Sequence, residues 1–240
     1  MSVFATLVEQ LAELLRPFFH ASAAAAAIVL FTALVRLLVH PLSRAAARGQ
    51  RARAALQPRI AELREKHGKD PRAFQQAVLE LHAEQKVSPL SGCLPSLLQL
   101  PAFFLLYHLF SSATIGGRAN GLLTHELFAA PLGGRWADAL ADGGPFGAAG
   151  TVYLGLFAVV TAVATFNYLR TKRMTAADAP VPAAAPAGTG QTPGLAAVGR
   201  VMPFLSYFTL LTVAVVPLAA ALYVVTSTTW TTVERAVLYR

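Results

Sequence analysis

The chain has 240 residues, 55% of them hydrophobic and only 13% charged, with a formal net charge of +8. A water-soluble domain normally carries about 25% charge, so this balance excludes an ordinary soluble globular protein and indicates a polytopic membrane protein. The single cysteine, Cys93, excludes an internal disulfide and a cysteine-built metal site.

At the N-terminus Glu9 and Glu13 precede Arg16, so the basic leader of a cleavable signal peptide is not expected. Instead Phe4, Leu7, Leu11, Leu14, Leu15 and Phe18 recur at helical spacing. They predict an extracytoplasmic amphipathic helix within residues 1–20, lying in the membrane interface, rather than an extension of the first span. Apolar runs then predict spans at 21–42, 92–112 and 148–169. The last run, 201–233, is too long for one helix, and Pro217 breaks it into spans at 198–215 and 218–233. Both halves are short against a hydrocarbon core of about 30 Å, which implies local thinning of the bilayer.

The connecting loops differ in kind. Segment 43–91 carries ten lysines and arginines against Glu62, Glu65, Asp70, Glu80 and Glu84. The positive-inside rule places it in the cytoplasm together with 170–197 and the tail 234–240, which leaves the N-terminus outside. Within it, Leu56, Ile60 and Leu63 mark one helical face and Phe74, Val78 and Leu81 another. Between them Gly68 ends a helix, Asp70 caps the next and Pro71 opens it, predicting a cytoplasmic helical hairpin. Segment 113–147 is glycine-rich and extracytoplasmic, with little predictable order, and 175–194 reads as a disordered linker within 170–197. The fold class is therefore an all-α polytopic membrane protein: five transmembrane helices, a cytoplasmic hairpin and an N-terminal interfacial helix.

Arg36 is the one charge well inside a predicted span, at a cost of about 2.5–3.5 kcal/mol on insertion scales. The spans contain no acid to pair with it, so its counter-charge would come from elsewhere. Thr32 lies one turn before it on the same face. Ser96 and Gln99 are one turn apart in the second span, Thr161, Thr165 and Tyr168 share a face of the third, and Tyr223, Ser227, Trp230 and Glu234 share a face of the last. Convergence of these stripes would build a hydrophilic groove around Arg36. The bland alternatives are an Arg36 that snorkels to the cytoplasmic interface, hydroxyls that bond backbone carbonyls, and Tyr223 and Trp230 as interfacial belt residues. His40 and His108 lack partners at ligand spacing, so no metal is expected, and no cofactor.

An intramembrane protease would need an aspartate pair, a serine–histidine pair or a metal motif, and the spans offer none; an enzyme is not expected. A small-solute or ion transporter using the same polar cavity remains the alternative, although intramembrane acids and repeated halves are missing. A chaperone or insertase for other membrane segments needs a groove, a cation and a basic cytoplasmic element, and this sequence has candidates for all three.

The stretch Val87-Ser88-Pro89-Leu90-Ser91-Gly92-Cys93-Leu94-Pro95-Ser96-Leu97-Leu98-Gln99-Leu100-Pro101-Ala102-Phe103-Phe104 closely resembles the NPLxGCxPxLxQxPxF signature of YidC-type membrane protein insertases. Leu34 to Leu42, with Arg36, looks like that family's first core span. Val201-Met202-Pro203-Phe204 resembles the start of its penultimate span, and Pro217 to Trp230 its PxGLxLYWxxSNxW end. Ser88, Val224 and Ser227-Thr228 depart from the family pattern. The resemblance implies insertion and folding of newly made membrane proteins through a groove holding Arg36, Thr32, Ser96, Gln99, Thr165, Tyr223, Ser227 and Trp230, alone or beside the Sec translocon, in a bacterial cell membrane. It implies nascent membrane proteins and the lipid bilayer as partners. The basic surface Arg48, Arg51, Arg53, Arg59 and Arg64 suits ribosomal RNA phosphate or anionic lipid rather than DNA.

Overall fold

In a computed structural model of the chain, residues 2–67, 70–85, 104–115, 117–177 and 202–238 are described. Most of them are helical. Two stretches among them, Val3–Ala52 and Ala148–Arg173, are long and apolar enough to cross a membrane. The chain divides into two compact units, one of Met1–Leu37 and Phe104–Ala236, the other of Leu38–Phe103 and Val237–Arg240.

The first unit begins with α1 (Ser2–Phe19). Its expected apolar face proves to have two sides. Ala5, Val8 and Ala12 are buried in the core with Leu11 and Leu15 against them, while Phe4, Leu7, Leu14 and Phe18 are exposed. The apolar arc of α1 is thus wider than its contact with the rest of the protein. The helix stops at His20, whose φ of 48° lies in the left-handed region, and a 3-10 turn (His20–Ser22) leads into α2 (Ala23–Ala55). The turn marks where α1 ends and α2 begins. Helix α2 itself runs thirteen residues past the expected boundary at 42, straight through Pro41. Its exposed Leu30, Leu34 and Leu37 face outward, an arrangement that water would penalise and hydrocarbon does not.

Helix α5 (104–111) covers the described end of the expected second span; the remainder of 92–112, with Ser96 and Gln99, lies outside the described residues. The loop beyond it is more ordered than its composition indicated. Strands β1 (Thr114–Ile115) and β2 (Arg118–Ala119) pair antiparallel, as do β3 (Glu126–Leu127) and β4 (Ala130–Pro131), so the fold is not purely helical. The second pair turns on Phe128 and Ala129, both at positive φ (46° and 70°), the backbone of a type I′ turn without its usual Asn-Gly. Asn120 anchors the loop from a buried position: its amide donates to the carbonyls of Leu109 (2.8 Å) and Ser112 (3.0 Å), and its side-chain oxygen accepts from the Leu122 N–H. Leu122, Ala130 and Leu132 are fully buried beneath it. A short α6 (Trp136–Ala141) follows, and Trp136 stacks at 5.3–5.7 Å on Tyr153 and Phe157.

Helix α7 (Ala148–Ala177) contains the expected third span and extends eight residues beyond 169; the rest of the expected linker lies outside the described residues. The penultimate segment is a 3-10 turn (Met202–Tyr207) leading into a short α8 (Phe208–Val215), not one regular helix over 198–215. Pro217 ends it as expected, and α9 (Leu218–Leu238) follows. At 21 residues, or about 32 Å at 1.5 Å each, α9 is longer than the expected 218–233, so its length alone does not require a thinned bilayer. Its first residues are wholly buried, and its initial N–H groups are capped by the loop: Leu218 donates to the Gly134 carbonyl and Ala219 to the Leu132 carbonyl, both at 2.9 Å. The Tyr153 hydroxyl donates to the same Gly134 carbonyl at 2.6 Å.

In the second unit, α3 (Gln57–His67) and α4 (Pro71–Glu84) pack on each other. Asp70 caps α4 by accepting from the N–H groups of Arg72 (2.9 Å) and Ala73 (3.2 Å), with Pro71 at the first helical position. Leu56 and Leu81, from the two predicted apolar faces, are buried.

The Asn120 anchor generates a stability prediction. Asn120→Ala should lower the thermal unfolding midpoint in detergent, at a cost of about 1–3 kcal/mol, because it leaves buried carbonyls and an N–H unsatisfied. An unchanged midpoint would show that the loop is held by other contacts.

Candidate functional site

The arginine and the last helix meet within the first unit. The Arg36 Nε donates to the Ser227 hydroxyl oxygen at 3.1 Å, and its Nη2 donates to the same atom. Tyr223, one turn earlier on α9, is hydrogen-bonded to Ser227 as well. Both Ser227 and Tyr223 are buried, whereas Arg36 is half-buried. The Tyr223 ring also leans on Phe110 of α5 with centroids 5.9 Å apart, so three helices fix this corner. A long-range bond thus turns Arg36 toward the last helix.

The counter-charge differs from the sequence expectation. Glu234, three turns beyond Tyr223 on α9, acts electrostatically on Arg36, as does the like charge of Arg235. The expected span ends at residue 233, one short of Glu234, whereas the helix runs on to Leu238. Arg36 thus has a resident acid among its neighbours, and the cluster is only partly uncompensated.

The other expected groove residues divide. Thr32 is buried, but its hydroxyl donates to the Ile28 carbonyl of its own helix at 2.7 Å, so it has the backbone-satisfying role common for threonines in membrane helices. Thr165 bonds the Tyr207 hydroxyl at 3.1 Å, in a second polar spot beside Tyr168, which stacks on Phe204 and Tyr207. It is not joined to Arg36 by any bond among the described residues. Trp230 has a buried indole N–H without an acceptor among the described residues, and the neighbouring Thr229 hydroxyl is in the same condition. Ser96 and Gln99 lie outside the described residues. On the basic segment Arg48, Arg51, Arg59 and Arg64 are exposed, with Arg51 donating to the Leu238 carbonyl; the Arg53 side chain lies outside the description.

Sequence reasoning overlooked two links between α7 and α9. The Asn167 amide donates to the Thr232 hydroxyl at 2.8 Å, and Arg170 donates to the Arg235 carbonyl at 2.9 Å, near the C-terminal end of α9. The overlooked signal was an asparagine in an apolar run.

A helical membrane protein with a half-buried arginine bonded to a serine of its last helix is the class that fold and site define. A family model described as 60Kd inner membrane protein matches residues 15–240, and the chain belongs to that family. Curated relatives include proteins named membrane protein insertase YidC from Clostridium perfringens (42% identical over 87 residues), Alkalilimnicola ehrlichii (43% over 81) and Laribacter hongkongensis (47% over 81). These alignments cover 36%, 34% and 34% of this chain, and 37%, 14% and 15% of the respective relatives. The aligned part of the chain thus spans well under half the length of each.

The α7–α9 link is measurable. In a double-mutant cycle of Asn167→Ala and Thr232→Val, unfolding in detergent should give a coupling energy of about 0.6 kcal/mol, the usual worth of an interhelical hydrogen bond in a membrane. A coupling indistinguishable from zero would mean the contact carries no stability.

Proposed function

We propose that the chain is a membrane protein insertase and chaperone. Its Arg36 cluster receives polar or acidic parts of newly made membrane proteins while their apolar helices pass to lipid. The observation that carries this reading is the Arg36–Ser227–Tyr223 corner, set in a chain whose relatives are named insertases. A cation held by a neutral hydroxyl keeps its charge available to a guest carboxylate, and the Glu234 charge tempers it. The guest's bond to Arg36 would be charge-assisted and so among the stronger hydrogen bonds, and the nearby Glu234 charge offsets part of it on release. No bond is broken; transfer of the guest's apolar surface to lipid, on the order of 25 cal/mol per Å², drives the process.

In this proposal five spans cross a bacterial cell membrane with the N-terminus outside and the C-terminus in the cytoplasm. The groove gathers Thr32, Ser96, Gln99, Thr165, Tyr223, Ser227 and Trp230 around Arg36. Helix α1 rests in the outer interface on its exposed Phe4, Leu7, Leu14 and Phe18. The paired helices α3 and α4 form the cytoplasmic hairpin, and the surface of Arg48, Arg51, Arg53, Arg59 and Arg64 meets anionic lipid or a translating ribosome. Work beside the Sec translocon belongs to the same reading.

Arg36→Ala should reduce insertion of substrates with acidic translocated segments into reconstituted liposomes, with Arg36→Lys milder because a groove cation need not bind bidentately. Glu234→Gln should act in the opposite direction, favouring acidic segments. Wild-type yields for Arg36→Ala across a substrate panel would refute the proposal. Removing residues 64–86 should abolish complementation in an insertase-depleted strain while leaving the spans folded by circular dichroism; full complementation would deny the basic element its part.

A further inference from the structure

A second polar site lies where α1 turns into α2. A cleft of 380 Å³ is lined there by Ala12, Glu13 and Arg16 of α1, His20 and Ala21 of the turn, Ala23 and Ala24 of α2, and His125 beside β3. Ala12, Ala23 and Ala24 are buried and form a floor of methyl groups, whereas Glu13, Arg16, His20 and His125 are exposed around the mouth. The floor is concave because all three residues are small. The mouth is assembled from distant sequence: β3 packs against the turn His20–Ser22, and His20 is held in the left-handed region at the helix break.

The chemistry of the mouth is zwitterionic. Arg16 and two imidazoles, each with an N–H to donate in either protonation state, suit a phosphodiester, and Glu13 suits a cation. Arg16 and Glu13 are joined by one 3.4 Å contact between two well-exposed side chains, a weak pair that a ligand carrying both charges can open and replace. A simple anion would gain Arg16 but meet the Glu13 carboxylate; a ligand with a phosphate and a primary ammonium gains both. Phe18 and Phe19, exposed immediately before His20, add apolar surface next along the chain, as an acyl-bearing ligand needs.

We infer that this cleft binds the phosphoethanolamine headgroup of a membrane phospholipid, the phosphate on Arg16, His20 and His125 and the ammonium on Glu13. The inference rests on the proposed seat of α1 in the outer interface, where such headgroups are found. It would give α1 a specific lipid to hold beside its general affinity for the membrane surface.

The test uses the full chain, purified from nanodiscs holding equal parts of phosphatidylethanolamine, phosphatidylcholine and phosphatidylglycerol with identical acyl chains, and counts co-purifying lipids by native mass spectrometry. The wild type should retain phosphatidylethanolamine about tenfold over the other two, the worth of one charge-assisted hydrogen bond. Glu13→Gln should erase the preference over phosphatidylglycerol. Arg16→Gln should release all three, and His20→Asn, which keeps a residue tolerant of the left-handed backbone, should weaken retention. Equal retention of the three lipids, a preference for phosphatidylglycerol, or a preference untouched by Glu13→Gln overturns the inference. So does capture of soluble O-phosphoethanolamine without retention of the lipid, which would make the ligand a free phosphomonoester. Insertion yields of Arg36→Ala measured on the same preparations read the insertase proposal separately, since that residue does not line the cleft.

Discussion

A buried backbone N–H without an acceptor is costly, and the structure is organised around meeting that demand at Pro217. The proline ends α8, and α9 must begin anew with unpaired donors at a fully buried position. The carbonyls of Leu132 and Gly134 accept from Leu218 and Ala219, so a loop from the other side of α7 in sequence becomes the cap of the last helix. Tyr153 fixes the same Gly134 carbonyl from α7. Once α9 is placed by these bonds, Tyr223 and Ser227 follow one and two turns later, and Arg36 has the partner that holds it.

The dependence explains which features were legible in the sequence. Local rules sufficed for the Asp70 cap with Pro71, for the break at Pro217, and for the shared face of Tyr223 and Ser227, because each is written within a turn or two of helix. The order of 113–147 was not legible. It depends on Asn120 reaching back to α5 and on carbonyls spent on α9, and glycine-rich composition reports neither. The positive-φ turn at Phe128 and Ala129 was hidden too, because neither residue favours that backbone.

Hydroxyl stripes misled in a different way. Thr32, Arg36, Thr165 and Ser227 all read as polar positions in apolar runs, yet spacing on a helix cannot say whether an oxygen faces its own backbone or a neighbour. Thr32 satisfies Ile28, Thr165 meets Tyr207, and only Ser227 reaches the arginine. Glu234 shares the face of Tyr223 and Ser227 but lies past the apolar run, since hydropathy ends where charge begins while the helix continues to Leu238. Half-burial of a guanidinium is tolerable here because its bonds lie across the protein rather than into lipid.

The chain has two tryptophans, and the fold assigns them different surroundings. Trp136 packs against the rings of Tyr153 and Phe157, whereas Trp230 sits three residues past Ser227 with its indole N–H buried. With Trp136 replaced by phenylalanine, the remaining emission comes from one indole, its N–H buried, a turn past Ser227 on α9. Its wavelength becomes a native gauge of how wet that stretch of α9 is, with no dye attached.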